Sequence, residues 1–372
     1  VLGGQGRPKT SGDVDLFNGL ALLDLANAGL EKVPAFAPLV GDEAEILSLS
    51  RYPDGKLLVG GIFSHVNGSA RFGVARLLAN GSLDLDFKPF ADQPAGWSMA
   101  ALALPDGRGV VGFGDSGLFL VGQNGALTDL SAYNDYDRVS ALAYQAGKVL
   151  VGSDFGLGVR RLKADFTGED ETFVSGDAYG TVRALAVQAD DKIFVAGNLT
   201  QYNSLAVSGL VRLAANGNLD GAFTPPLFMY DEYTTAEIYA VTPLPEGDLL
   251  VGGDFATVNG ADYPALVRLD ANGAIDAGFA PPASFHVAYS ICAQDDGSVW
   301  VGGMEASYFR HPLVLHLAED GQIDATFTGV YQGAHDEGVV YAILCNSDGL
   351  SWAAGKFGFI DGRPFPSLAR YF

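Results

Sequence analysis

The feature that most constrains the fold of this chain is an internal repeat, which is clearest in residues 238–279. This stretch reads IYAVTPLPEGDLLVGGDFATVNGADYPALVRLDANGAIDAGF. One pair of apolar, strand-like runs flanks Glu246-Gly247, and a second pair flanks Asn272-Gly273. Such dipeptides between apolar runs are typical of tight β-hairpin turns. The unit therefore predicts two hairpins, which amount to four antiparallel strands.

Related units fill most of the chain. A glycine at the end of the second strand marks each copy, and these glycines are Gly60, Gly112, Gly152, Gly197, Gly252, Gly302 and Gly355. Copies at a spacing of roughly 40–50 residues are typical of the blades of a β-propeller. In the second and third copies the segment between the second and third strands is nearly absent.

The two chain ends complement each other. Residues 20–36 resemble a third and a fourth strand without the first two, whereas the last repeat stops after its third strand, SLARYF. A ring that is closed by strands from both ends leaves no exposed sheet edge. We therefore predict an all-β chain that forms a single β-propeller of seven four-stranded antiparallel blades, with the closing blade shared between N- and C-terminal strands.

The predicted boundaries follow from the repeats. Residues 1–16 are Gly-rich and polar, which predicts a flexible lead-in. The propeller covers 17–372, with closing-blade strands at 17–38 and repeats at about 46–90, 99–130, 139–173, 182–223, 238–279, 287–327 and 340–372. One strand of the third type is in surplus, because both chain ends carry one. It either adds a fifth strand to the closing blade or pairs with a neighbouring molecule and builds a polymer.

An arginine and an aspartate recur around the second turn of the repeat. These pairs are Arg76 with Asp84, Arg212 with Asp220, and Arg268 with Asp276. A type I turn with a left-handed glycine bulge places the two residues opposite each other, which predicts a cross-strand ion pair. In the second copy Leu120 and Leu127 take the two places, and in the sixth His316 faces Asp324. Charges that are lost together are typical of a structural pair rather than of a functional site.

The composition excludes some classes of function. With 22 Lys and Arg residues against 44 Asp and Glu residues, the formal net charge is −22. Contacts with phosphates need clustered positive charge, so nucleic acid is excluded as a partner. No apolar run reaches the roughly 18 residues of a transmembrane segment. The chain begins at Val1 rather than Met, which favours a processed protein that is secreted or held at the cell surface.

Two cysteines, Cys292 and Cys345, lie on the first strands of consecutive repeats. They occupy different registers, so we expect their side chains to point to opposite faces of those strands. Two buried free thiols are therefore expected in preference to a disulfide.

Two segments carry a resemblance to a known family: VQADDKIFVAGNLTQYNSLAVSGLVRLAANGNLDGAF and LLVGGDFATVNGADYPALVRLDANGAIDAGF. From residue 20 onward the chain resembles the bacterial delta-sixty repeat, a β-propeller repeat of secreted and surface proteins. The resemblance implies the propeller fold and an extracellular location. It implies no catalytic residue, because the family as such has no catalytic motif to carry over.

A ligand is expected on the face that carries the variable loops, where aromatic and acidic residues cluster. Such residues suit sugar rings or a protein interface, or they fold back on the blades as ordinary loop residues. The candidate ligand-binding residues are Trp97, Tyr133, Asp135, Tyr136, Asp137, Tyr230, Asp231, Glu232 and Tyr233.

No catalytic or metal-binding pattern is found in the sequence. The five histidines lack the spacings of a zinc site, and the acidic turns lack that of a calcium loop, so no cofactor is expected and calcium is unsupported by a motif. Paired carboxylates such as Asp231 with Glu232 are the residue types of glycoside hydrolysis, although an acidic chain offers such pairs by chance.

We therefore predict a secreted, non-enzymatic β-propeller that serves as an extracellular structural or adhesion module. It would self-assemble by β-strand addition if the surplus N-terminal strand pairs between molecules. The alternatives are a glycan-binding propeller that uses the aromatic and acidic loops, and a polysaccharide-active enzyme. The expected partners are further copies of the chain, surface glycans or surface proteins.

Overall fold

The fold was obtained as a computed structural model. It describes residues 21–24, 29–32, 45–89, 97–114, 117–130, 138–153, 158–306, 311–324, 338–345, 351–356, 359–360, 363–364 and 368–371. Within these ranges all regular elements are β-strands.

The strands follow the repeats. The N-terminal strands are β1 (Ala21–Asp24) and β2 (Gly29–Lys32). The first repeat holds β3 (Glu45–Arg51), β4 (Leu57–Ile62), β5 (His65–Val66), β6 (Ser69–Ala70) and β7 (Val74–Leu77). The second holds β8 (Ser98–Ala103), β9 (Gly109–Phe113), β10 (Gly117–Val121) and β11 (Leu127–Asp129). The third holds β12 (Val139–Gln145), β13 (Lys148–Ser153) and β14 (Val159–Leu162).

The remaining repeats continue the series. The fourth holds β15 (Ala178–Tyr179), β16 (Val182–Val187), β17 (Ile193–Gly197), β18 (Gln201–Tyr202), β19 (Leu205–Ala206) and β20 (Leu210–Leu213). The fifth holds β21 (Phe228–Met229), β22 (Glu237–Pro243), β23 (Leu249–Asp254), β24 (Thr257–Val258), β25 (Ala261–Asp262) and β26 (Leu266–Leu269). The sixth holds β27 (Phe285–Ala293), β28 (Val299–Glu305) and β29 (Pro312–Leu317). The last holds β30 (Val339–Cys345), β31 (Ser351–Lys356), β32 (Phe359–Ile360), β33 (Arg363–Pro364) and β34 (Leu368–Tyr371).

Each repeat builds one antiparallel sheet from its three long strands, as in β3-β4-β7 and β22-β23-β26. The fourth segment is a regular strand in the second repeat, β11, but in the fifth repeat it is held by the isolated bridge between Leu269 and Ile275. The chain turns away soon after this bridge, because the N–H of Phe279 donates to the carbonyl of Asp276 at 3.2 Å. Most fourth segments are therefore shorter than the predicted strand.

Strands from both chain ends share one sheet, in the order β2-β1-β34-β31-β30. β1 runs parallel to β34, and β2 runs antiparallel to β1. This sheet has five strands, so the extra N-terminal pairing is made within the chain. Its parallel pair differs from the fully antiparallel blade that we predicted.

Neighbouring sheets pack against each other through their first strands. β3 contacts β8, and the contacts continue through β12, β16, β22 and β27 to β30. β30 in turn contacts β3. One apolar cluster joins Ile46 and Leu57 of the first repeat to Trp352 and Ala354 of the last. The core of the molecule thus lies between successive sheets.

The loops on one side of the sheets form a second layer of short strands. β15 pairs with β18, and β21 pairs with β24. The connections between repeats therefore bond to the hairpins that follow the second strands. The side that carries both kinds of loop is termed the loop face.

The predicted Arg–Asp pairs are confirmed as ion pairs. The closest atoms lie 2.9 Å apart in Arg76–Asp84, 2.9 Å in Arg212–Asp220 and 2.6 Å in Arg268–Asp276. In the sixth repeat His316 Nδ1 lies 3.0 Å from Asp324 Oδ2, and because burial lowers the pKa of His316 this contact is a hydrogen bond at neutral pH. One further pair, Arg161 with Asp170 at 2.8 Å, was missed because its residues are nine apart rather than eight. In the second repeat Leu120 lies opposite Thr128, so the prediction of Leu127 was wrong by one position.

Three of these arginines, Arg161, Arg212 and Arg268, also contact the next repeat. The guanidinium of Arg268 covers the ring of Phe279 at 5.0 Å, and its Nη1 donates to the carbonyl of Glu319 at 2.7 Å. Arg212 makes the same contacts with Phe223 and with the carbonyl of Ala271. Because these carbonyls belong to the following turn, the arginines join neighbouring sheets, which explains their recurrence without a functional role.

Cys292 and Cys345 form a disulfide, with their Cα atoms 5.9 Å apart. The expectation of two free thiols was therefore wrong. The alternation of side chains along a strand predicts which residues share a face of one sheet. It does not predict contacts between sheets, and β27 and β30 belong to neighbouring sheets that pack against each other. The bond joins the first strands of the sixth and last repeats.

Candidate functional site

Four of the predicted ligand-binding residues, Tyr230 to Tyr233, lie at the tip of one hairpin on the loop face. The N–H of Tyr230 donates to the carbonyl of Thr234 at 2.9 Å, which closes the tip. The side chain of Tyr233 is 90% exposed, that of Tyr230 is 42% exposed, and Glu232 is also exposed. We refer to residues 228–235 as the tyrosine hairpin.

Asp231 shapes this tip. Its Oδ1 accepts hydrogen bonds from the N–H groups of Tyr233 at 2.8 Å and of Thr234 at 2.7 Å. The bond from Tyr233, together with those from Thr234, lowers the pKa of Asp231. The acid of a glycosidase needs a raised pKa instead. Asp231 is therefore suited to holding the turn and unsuited to donating a proton.

The base of the tyrosine hairpin is anchored to neighbouring loops. Ser208 Oγ donates to the carbonyl of Phe228 at 2.6 Å and accepts from its N–H at 3.1 Å. Leu227 and Asn259 exchange two hydrogen bonds of 2.8 and 2.9 Å. Tyr230 and Tyr233 are thus presented on an ordered support, which is what a rigid binding surface requires.

The other predicted site residues do not join this hairpin. Trp97 is 55% exposed and directly precedes β8. The sheets that begin with β12 and β16 separate that position from the tyrosine hairpin. Tyr133, Asp135, Tyr136 and Asp137 lie outside the described residues.

A second constellation, which the sequence analysis missed, lies between the first strands. Each of these strands has a β-bulge near its start, where one residue has no partner across the ladder. The bulged residues are Leu47, Met99, Ser140, Arg183, Tyr239, Tyr289 and Tyr341. A bulge redirects its side chain. All of them except Tyr341 line a cavity of about 270 Å³, which we term the central cavity.

A glycine lies opposite the residue before the bulge in five of the seven repeats, whereas Phe113 and Ser153 take this place in the second and third. A Cβ on Gly61 would meet the carbonyl oxygen of Glu45, and one on Gly303 would meet that of Val287. In both cases the carbonyl belongs to the strand that bulges. Glycine therefore fits where the bulge brings two backbones together. In the five repeats that have it, this signal could have located the bulged positions from the sequence.

Three bulged residues form a continuous aromatic surface, which we term the tyrosine arc. The ring centroids of Tyr239 and Tyr289 are 4.6 Å apart, and those of Tyr289 and Tyr341 are 5.2 Å apart. Burial raises the pKa of Tyr341 to about 12. Burial and a hydrogen bond to Glu237 raise the pKa of Tyr239 as well. Both phenols are therefore protonated at neutral pH, and that of Tyr239 donates its hydrogen bond to Glu237.

Two ion pairs lie near the ends of the tyrosine arc. Arg183 Nε donates to Glu237 Oε1 at 2.7 Å, on the side of Tyr239. Lys356 Nζ lies 3.0 Å from Glu45 Oε1, on the side of Tyr341. Each pair is neutral in sum, although the chain as a whole is strongly acidic. The arc lies near the starts of the first strands, which is the end that adjoins the loop face.

The described residues show neither a metal site nor a membrane span. Within those ranges no three His, Cys, Asp or Glu side chains converge in a way that could hold a metal ion. Nor does the described part of the chain contain a helix long and apolar enough to cross a membrane.

Comparison with protein families identifies individual repeats. Residues 53–87, 188–223 and 244–279 match a family model described as a β-propeller domain of unknown function (DUF5122). These stretches belong to the first, fourth and fifth repeats. The match supports the assignment as a β-propeller, but it does not confirm the resemblance to the delta-sixty repeat. No curated protein matches the chain.

Solved structures share the fold at low sequence identity. A chain of the mitotic checkpoint complex is 14% identical with a TM-score of 0.59, and the match covers 95% of this chain and 93% of that one. The WD40 β-propeller domain of Doa1 is 12% identical with a TM-score of 0.56, and coverage is 85% of this chain and 91% of that domain.

A bacterial extracellular domain is similar in the same way. The extracellular domain of a putative one-component system from B. thetaiotaomicron is 13% identical with a TM-score of 0.56. The match covers 88% of this chain but 40% of that protein chain, so the present chain spans well under half of its length. Together with the repeated sheets and the family match, these likenesses show that the chain folds as a β-propeller.

Proposed function

We propose that the chain forms a closed ring of seven blades and serves as an extracellular, non-enzymatic binding module with a structural or adhesive role. The ring is supported by the unbroken series of contacts between first strands, which returns from β30 to β3. The ion pair between Lys356 and Glu45 also links the last repeat to the first. In this proposal the short bridged segments take the place of the fourth strand in most blades.

The extracellular location is supported by the disulfide between Cys292 and Cys345, because disulfides persist mainly in oxidising compartments. The B. thetaiotaomicron domain that shares the fold is itself described as extracellular. Both observations agree with the secreted or cell-surface location expected from the sequence.

The observation that carries the binding role is the tyrosine hairpin. Its two tyrosines are exposed, yet hydrogen bonds fix both its tip and its base. Ordering a flexible loop on binding costs free energy, and this support reduces that cost. Exposed aromatic side chains on rigid supports are typical of protein-interface anchors and of sugar-stacking platforms. The loop face is therefore the proposed binding surface.

An adhesion assay tests this function. Fluorescent beads coated with the purified protein would be passed over surfaces that carry polysaccharides or extracellular proteins, and the retained fraction measured. Tyr230→Ala combined with Tyr233→Ala is expected to lower retention. Tyr144→Ala is the matched control, because Tyr144 is 39% exposed but lies at the end of β12 remote from the loop face. Retention no higher than that of uncoated beads on every surface would refute the proposed function.

Self-assembly by strand addition is the alternative use of the surplus strand. The pairing of β1 with β34 favours its use within the chain. If the strand instead joins molecules, removal of residues 1–28 will reduce the particle size measured by size-exclusion chromatography. An unchanged elution volume would count against strand addition.

A further inference from the structure

Two residues of the tyrosine arc, Tyr239 and Tyr289, line the central cavity instead of filling a core. Tyr239 and Tyr289 are half-buried at positions where the pairing register of the ladder shifts. Both border the central cavity, together with the polar side chains of Arg183, Ser140 and Thr242. Aromatic rings beside several polar groups suit a small ligand that has both an apolar face and hydroxyl groups.

We propose that the tyrosine arc binds the terminal pyranose of a neutral glycan, which enters the central cavity from the loop face. This inference rests on the proposed binding function and assigns to it a ligand class and a position. The apolar face of the sugar ring would stack on the arc, and the hydroxyls at its edge would meet the polar groups beside it.

Charge balance favours a neutral ligand. The Arg183 guanidinium is matched by the Glu237 carboxylate, and Lys356 is matched by Glu45. Neither pair leaves a net charge to attract a phosphate or an ammonium group. A guanidinium next to a carboxylate does offer donors and acceptors side by side, which is what neighbouring sugar hydroxyls require.

The arrangement of the rings favours a flat ligand over a compact cation. A cation site needs ring faces that converge on one point. Here Tyr289 contacts its two neighbours directly, with interplanar angles of 47° to Tyr239 and 74° to Tyr341. The rings therefore form a strip and not a cage. A phenol oxygen also accepts hydrogen bonds, so the edge of the strip can accept from sugar hydroxyls.

The size of the cavity limits how much ligand can enter. Its volume of about 270 Å³ lies just below the range of roughly 300–1,000 Å³ that is typical of pockets for drug-sized ligands. One sugar unit is therefore expected inside, with the remainder of the chain extending toward the loop face.

Saturation-transfer NMR tests this inference with a defined set of probes, namely the methyl pyranosides of glucose, galactose, mannose and N-acetylglucosamine. We expect transfer to at least one of them with the unmodified protein. Tyr289→Ala should weaken binding of that probe about tenfold, because a stacked ring is lost. Tyr289→Phe keeps the ring and should retain binding. Tyr179→Ala is the matched control, since Tyr179 is 74% exposed on the loop face and does not line the cavity.

A variant that fills the central cavity provides a second test if Tyr289→Ala fails to fold. Ser140 lies on the wall of the central cavity and is separate from the tyrosine arc. Ser140→Trp should block entry while leaving all three tyrosines in place. Oligosaccharides that end in the bound pyranose should compete with the methyl glycoside, whereas those that carry it only internally should not.

Two outcomes would overturn the inference. One is the absence of transfer to every pyranoside in the unmodified protein. The other is transfer that persists at the parent level in Tyr289→Ala and Ser140→Trp. The bead assay decides the proposed function separately. If retention depends on Tyr230 and Tyr233 but no pyranoside binds at the arc, the proposed binding function is supported and only the pyranose site is refuted.

Discussion

The disulfide between Cys292 and Cys345 leads to a quantitative prediction about stability. Replacing both cysteines by serine removes the cross-link without creating an unpaired thiol. Serine also preserves an acceptor for the N–H of Cys345, which lies 3.0 Å from Cys292 Sγ. The change in stability of the double variant should therefore report mainly the loss of the covalent bond.

The expected magnitude follows from the length of chain that the bond encloses. The cysteines are separated by 53 residues. In the chain-entropy account, a loop of this length restricts the unfolded chain enough to stabilise the folded protein by about 4 kcal/mol at 25 °C. That amount is a large part of the total stability of roughly 5–15 kcal/mol that is usual for a domain. The double variant should consequently unfold at a clearly lower urea concentration.

Urea unfolding followed by tryptophan fluorescence measures this difference. Trp300 and Trp352 are buried in the two repeats that the disulfide joins, so their emission reports on this part of the molecule. Unmodified protein treated with dithiothreitol is the control, and its unfolding curve should match that of the double variant. Thiol titration of the unreduced protein in guanidinium should find no reactive thiol. Two reactive thiols per chain, or a double variant as stable as its parent, would refute the reasoning.

Three further predictions concern single positions. Arg76→Leu should destabilise the fold by about 3–5 kcal/mol because Asp84 is left buried without its partner, whereas Arg76→Leu with Asp84→Thr, which copies the second repeat, should cost less. Urea unfolding measures both variants, and a single variant Arg76→Leu that is more stable than the double variant would contradict this expectation. Gly273→Ala should cost about 1–3 kcal/mol more than Gly260→Ala, since both have positive φ but only the first Cβ meets a neighbouring backbone; equal melting temperatures would argue against this contact. Burial lowers the pKa of His316 below its ordinary value of 6.5, so its contribution to stability is present above that pH and is lost as pH falls. His316→Gln should flatten the dependence of unfolding free energy on pH below about pH 6.5, and an unchanged slope would exclude this role.

The features that could be predicted from the sequence are the local ones. Arg212 and Asp220 are eight residues apart, and the geometry of one turn is sufficient to bring them together. The same turn places Arg268 beside Asp276. Arg161 and Asp170 also pair, but a longer turn places them nine residues apart, so the spacing of eight residues does not predict this pair. The prediction succeeded where the contact depends on few residues with fixed turn chemistry.

The disulfide and the tyrosine arc could not be predicted in the same way, because each joins different sheets. Alternation along a strand gives no information about which side chains of two packed sheets approach each other. Tyr289 and Tyr341 occupy equivalent positions in consecutive repeats, yet their contact depends on how the first strands converge. Both lie seven residues before the Asp of the first turn, Asp296 and Asp348, so the sequence shows that they are equivalent but not that they touch.

The bulge also explains how a repeat with conserved geometry can carry different chemistry in each copy. A bulged residue has no cross-strand partner, so its side chain can change without disturbing the ladder. The residue that follows it in each copy is alanine or serine, whereas the bulged position ranges from Leu47 through Arg183 to Tyr239. Because only the bulged position varies while the surrounding strands stay alike, similar repeats can together form an asymmetric site.

The two candidate surfaces can then be distinguished by the length of the ligand. The tyrosine arc lies near the start of β22, and the tyrosine hairpin lies a few residues before the same strand, on the loop face. A single sugar unit in the central cavity would contact the arc alone. A longer glycan that leaves the cavity toward the loop face could also reach Tyr230 and Tyr233, so its affinity should depend on both sets of tyrosines. If the arc is the anchor, loss of the hairpin tyrosines will weaken the long ligand and leave the single unit unaffected, because only the long ligand spans both surfaces.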